Sequence, residues 1–133
     1  MSASPSRLAY ALCLAVAASL TPACSDDDRP GFGATVCLQL SHHGVTPTDA
    51  LVYREGADDF PGYGPDMDAR YTDRREMSRA GVACFEEVGV GTHWFAAEGF
   101  DATIRDSVRG SKRLEVTTRS TLYEEVMQVS EQH

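Results

Sequence analysis

The residues of this chain whose types and spacing carry chemistry fall into four groups. His42 and His43 stand side by side in SHHGVTPTD and are ligand material for a metal ion completed by a carboxylate. Adjacent side chains on a strand or turn usually point apart, so the pair is expected to waste one ligand and to sit as solvated loop histidines. His93, Glu98 and Asp101 fall in one stretch, HWFAAEGFD, and are the material of an acid/base cluster. No Ser or Cys nucleophile has a readable place beside them, so His93 is expected to be a rim histidine satisfied by a neighbour.

The third group lies in residues 58–73. Asp58, Asp59, Asp66 and Asp68, with carbonyls freed by Gly62 and Gly64, are the oxygen donors a calcium ion takes. The stretch lacks the D-x-D-x-D-G spacing of a helix-loop-helix calcium loop, and a solvated acidic loop is the competing reading. Phe60, Tyr63 and Tyr71, with Trp94, form either an aromatic platform for a sugar or a protein, or the pins that hold a long loop on the domain.

The fourth group is the cysteines, Cys13, Cys24, Cys37 and Cys84. MSASPSR carries one basic and no acidic residue, LAYALCLAVAASL is an apolar run, and TPAC follows. That order has the three-part shape of an export signal. The run is shorter than the roughly 20 residues of a membrane-spanning helix. Ala23-Cys24 at its end resembles the lipobox of bacterial lipoproteins, with Leu20 one place earlier than the usual leucine. The resemblance implies cleavage after residue 23, acylation of Cys24 and a short polar tether, here Ser25 to Asp28. In enterobacterial sorting Asp beside the lipidated cysteine marks inner-membrane retention. Ser25 at that place favours the outer membrane. Cys13 then leaves with the leader and Cys24 takes lipid, so Cys37 and Cys84 remain in an oxidising compartment, either as a disulfide or as two buried thiols.

Composition sets the frame. The 133 residues carry a formal net charge of -8. Arg7 is the only charge before Cys24, so 11 basic face 20 acidic side chains in the rest. Such a surface repels phosphate backbones, which excludes nucleic acid as a partner. The divisions expected are a signal peptide at 1–23, a flexible acidic tether at 24–33 and one folded domain at 34–133.

Within that domain the pattern is β. ATVCLQL alternates, with Val36, Leu38 and Leu40 on one face and Cys37 and Gln39 on the other. ALVYR is a second strand, EGADDFPGYGPDMDA a long Gly/Pro/Asp-rich loop, and RYTDR a short edge strand. GVACFEEV places Ala83 and Phe85 opposite Val82 and Cys84. THWFAAEGF, ended by Gly99, is expected to form a hairpin with it. TIRDSV and KRLEVTT are read as separate strands, and LYEEVMQV as a strand in preference to a helix because Val126 and Val129 are β-branched. Seven or eight short strands with regular turn signals make an all-β sandwich.

TVCLQLSHHGVTPTDALVYREG and YTDRREMSRAGVACFEEVGVGTHWFAAEGFD resemble the prealbumin-like (transthyretin-like) sandwich of carboxypeptidase regulatory-like domains. The marks are Ala50 and Val52, Thr72 and Asp73, Gly81, Ala83 and Phe85, and Gly91, Thr92 and Ala97. Seven residues between Asp73 and Gly81, where that family has two or three, imply a longer loop, and His93 stands where it usually has an aromatic. The resemblance implies that the first strand and the G-x-A-x-F strand are sheet neighbours, hence a Cys37–Cys84 cross-strand disulfide. The related 5-hydroxyisourate hydrolase is marked by a terminal Tyr-Arg-Gly-Ser, whereas this chain reads SEQH. The expectation is a non-catalytic lipoprotein that binds or scaffolds an envelope protein or glycan, needs no cofactor unless the loop takes calcium, and alternatively serves as a ligand-binding accessory module for polysaccharide or peptide processing.

Overall fold

The computed structural model describes residues 33–132, so Cys13, Cys24, the leader and the tether lie outside the described residues. Among the described residues eight strands form two sheets. They are β1 (Ala34–Ser41), β2 (Asp49–Gly56), β3 (Asp73–Glu76), β4 (Val82–Val88), β5 (Gly91–Asp101), β6 (Asp106–Val116), β7 (Leu122–Gln128) and β8 (Ser130–Glu131), with one helical turn, α1 (Met67–Arg70). One sheet runs β4-β1-β7 and the other β3-β2-β5-β6-β8. The described residues form an all-β fold, as the alternation predicts, and the last long segment is a strand lying parallel to β1.

The period-2 pattern places the core. Val36, Leu38 and Leu40 of β1 and Ala83, Phe85 and Val88 of β4 face Val52, Phe95, Ala97, Val108 and Val116 of the other sheet, all fully buried. Phe85 and Phe95 meet edge to face across the layers, 5.3 Å between centroids. Two adjacent exposed glutamates in β4 would break this alternation. A register shift against β1, with Glu87 at φ 58°, returns Val88 to the interior.

Two glycines work differently from the way their type suggests. Gly110 does not separate two strands, because β6 runs continuously from Asp106 to Val116. A Cβ there would lie 2.1 Å from the Gln128 carbonyl oxygen and 2.8 Å from Val129 Cγ1, so Gly110 is where the chain crosses from β7 in one sheet to β8 in the other. Gly99 does not end β5 either; its Cβ would meet the Asp49 carbonyl oxygen at 2.2 Å.

The expected β4–β5 hairpin is corrected by the sheet order. β4 pairs with β1, and β5 pairs with β2 and β6, so Gly89 and Val90 carry the chain from one sheet to the other. The extra residues after Asp73 are partly strand, since Arg74 to Glu76 extend β3 along the edge of β2.

Candidate functional site

Cys37 and Cys84 occupy directly opposed positions on antiparallel β1 and β4, with 4.1 Å between Cα atoms, and are joined by a disulfide. Both point away from the core, because their neighbours Val36, Leu38, Ala83 and Phe85 point in. Beside the bond a groove of about 310 Å³ on the outer face of the three-stranded sheet is bordered by Gln39, Val82, Glu124, Glu125 and Val126.

The loop between β2 and β3 lies on the outer face of the five-stranded sheet. Tyr53, Met67, Tyr71 and Ala96 form a second small core there, with Phe60 and Tyr63 packed against it. Phe60 lies 5.0 Å from Tyr63 and 5.2 Å from Trp94, ring to ring. Trp94 Nε1 donates to the Asp58 carbonyl, the Tyr71 hydroxyl to the Gly62 carbonyl, and Arg70 to the carbonyls of Pro61 and Tyr63. Burial pushes the Tyr71 phenol up to about 12. Of the two readings of these aromatics, this arrangement realises the pins; Phe60, Tyr63 and Trp94 retain partial exposure.

The four loop aspartates do not converge. Asp58, Asp59, Asp66 and Asp68 are exposed, and Asp68 pairs with Arg74 at 2.9 Å. Among the described residues, the group of His, Cys, Asp and Glu side chains close enough to share a metal ion is a different one: His42, His43 and Glu131.

That cluster overturns the expectation that His42 and His43 are splayed, solvated loop residues. The two side chains do not splay apart. His42 and Val45 exchange backbone hydrogen bonds around a two-residue turn whose central residues, His43 and Gly44, have φ of 52° and 81°. Positive φ at both central positions is the primed-turn geometry, which histidine tolerates better than most residues. It brings the two rings onto the same side, 4.6 Å between centroids. His42 is only 3% exposed, hence no solvated loop residue, while His43 is open to solvent.

Asp101 serves His42 and not His93, so the acid/base material of β5 is not brought together. His93 and Asp101 stand eight residues apart on the extended strand β5, a separation of about 27 Å at the usual rise. Instead Asp101 Oδ2 accepts from His42 Nδ1 at 2.7 Å. Its Oδ1 accepts from the Thr103 amide at 3.0 Å and from the Thr103 hydroxyl. The Thr103 hydroxyl first, then the His42 ring, hold the Asp101 carboxyl down at about 2. The same contact with Asp101, followed by Glu131, raises His42 above its ordinary value. Glu131 is drawn down to about 2, chiefly by the His42 ring. No local signal in the sequence marks Glu131, which reaches the site only because β8 pairs with β6.

His93 is the neighbour-satisfied histidine expected. Its Nε2 donates to the Gly89 carbonyl at 2.7 Å and its Nδ1 accepts from Arg54 Nη1 at 3.0 Å. Burial lowers its basicity, and the Arg54 guanidinium adds to that.

No family model, curated protein or solved structure matches the chain.

Proposed function

We propose that this chain is a non-catalytic lipoprotein of the bacterial cell envelope, anchored through Cys24, whose prealbumin-like sandwich binds or scaffolds another envelope component. The observation that carries the reading is the Cys37–Cys84 disulfide. Disulfides persist in oxidising compartments, which is where a leader of the MSASPSRLAYALCLAVAASLTPAC type delivers a chain. Several acyl chains on one cysteine, at about 0.8 kcal/mol per buried methylene, make a durable anchor, and Ser25 to Asp28 form a polar spacer. The pairing of β1 with the strand that follows Gly81 and carries Ala83 and Phe85 supports the prealbumin-like assignment. A non-catalytic role is supported by His93, whose two ring nitrogens are both committed to structural partners.

A second reading is favoured by the partial exposure of Phe60, Tyr63 and Trp94: an accessory module that binds a glycan or peptide on that aromatic edge. Mass spectrometry of the membrane fraction tests the anchor, with an acylated N-terminal Cys24 expected and an unmodified soluble form as the contrary result. Crosslinking in intact cells that recovers an envelope protein, with no signal on glycan and peptide arrays, favours scaffolding over the accessory role.

A further inference from the structure

The end of the sandwich where β1 leaves one sheet and β5 and β8 close the other carries a set of donors that the envelope reading does not use. His42 Nδ1 is committed to Asp101, so in the neutral ring Nε2 bears the lone pair. That nitrogen is buried and has no hydrogen-bond partner. Glu131 Oε2 is 3.0 Å away, the distance of an ion pair once the ring is protonated. His43 Nε2 approaches the same oxygen at 3.3 Å from the solvent side. With the His42 ring protonated its contact with Glu131 is an ion pair; with the ring neutral it leaves two acceptors in contact, an arrangement relieved by a cation set between them.

We propose that His42 Nε2, His43 Nε2 and a Glu131 carboxylate oxygen bind one divalent transition-metal ion of the zinc class. The three donor atoms lie within 4.8 Å of one another. Ligand bonds of about 2.0–2.1 Å at tetrahedral angles place donors roughly 3.3 Å apart, so small side-chain shifts suffice. Two imidazoles and one carboxylate suit zinc better than calcium, which takes oxygen donors almost exclusively. Asp101 has the place of the orienting carboxylate that ligating histidines usually carry: it fixes the Nδ1–H tautomer and aims Nε2 at the metal. Three protein ligands leave the fourth position to water or to a donor from a bound partner. The ion would tie the turn after β1 in one sheet to β8 in the other, giving a two-residue terminal strand a reason to be held.

The test is zinc titration of the untagged full chain after chelator treatment, followed by calorimetry and thermal melting, with calcium as the comparison ion. One zinc per chain, a raised melting temperature and no response to calcium are expected. Because His42 is buried, its replacement can fail to fold, so the decisive variants are His43→Asn, which keeps a residue tolerant of positive φ at an exposed site, and Glu131→Gln, which keeps the shape. Each is expected to weaken zinc binding at least tenfold while remaining folded. Absence of zinc binding by the wild-type chain, or either variant binding as tightly as wild type, overturns the assignment.

Discussion

Asp101 Oδ2 and His42 Nδ1, 59 residues apart in sequence, lie 2.7 Å apart in the folded chain and join the end of β5 to the turn that follows β1. The carboxylate is fixed on its other side by Thr103, so it presents one oxygen to the imidazole in a set direction. Asp101→Asn should therefore reduce zinc affinity about 10- to 100-fold with the stoichiometry kept at one. If Asp101 only braced the fold, the metal-free melting temperature would fall and the affinity of the folded protein would not change.

The disulfide closes a long loop, with Cys37 and Cys84 separated by 47 residues. In the chain-entropy treatment a loop of that length stabilises the fold by about 4 kcal/mol. The double variant Cys37→Ser/Cys84→Ser should lower the denaturant midpoint accordingly and make it insensitive to reductant. A midpoint equal to that of the oxidised wild type would show that the bond adds nothing.

The nearest obstacle to a side chain at Gly110 is backbone, the Gln128 carbonyl, with the Val129 side chain next. Gly110→Ala must displace the Gln128 carbonyl or bend β6, at a cost of about 1–3 kcal/mol, and the loss should appear in equilibrium unfolding together with faster amide exchange at Val129 and Ser130. Ser111→Ala, one residue along and exposed, should change stability by less than about 0.5 kcal/mol.

His93 gives the fold an acid-side pH dependence. Its proton affinity in the folded state is lowered by burial and by Arg54, against the opposing Gly89 carbonyl and the weaker influence of Glu115 and Glu55. Between the ordinary value of about 6.5 and the lower folded value the unfolded chain holds more protons, so stability rises with pH across that window and falls as the solution is acidified through it. Protonating Nδ1 would also break its bond from Arg54. His93→Gln should flatten this part of the stability curve, measured by urea unfolding from pH 7 to pH 5; an unchanged slope would refute the assignment.

Arg70 holds the long loop by donating to the Pro61 and Tyr63 carbonyls. Arg70→Ala should leave global unfolding nearly intact while speeding proteolysis and amide exchange between residues 57 and 66, because the main core lies on the opposite face of that sheet. A global loss of stability equal to that of a core truncation would show that the loop and the sandwich unfold as one unit.

What the sequence determined by itself was local and periodic. Alternation fixed which face of β1 and β4 is buried, since a side-chain period of 2 admits two choices and Val36, Leu38, Ala83 and Phe85 select one of them. It thereby set Cys37 and Cys84 outward, and β-branching at Val126 and Val129 made the last long segment a strand. The tertiary structure decided everything that depends on which strands become neighbours. Alternation cannot tell a hairpin from a step between sheets, so β4 and β5 read as partners although they lie in different layers. Gly110 reads as a break because a glycine's close approach is invisible until the chain it approaches is in place. The histidine cluster is the extreme case: His42, Asp101 and Glu131 come from three distant segments, and only a primed turn, the end of β5 and the pairing of β8 with β6 bring them within bonding distance.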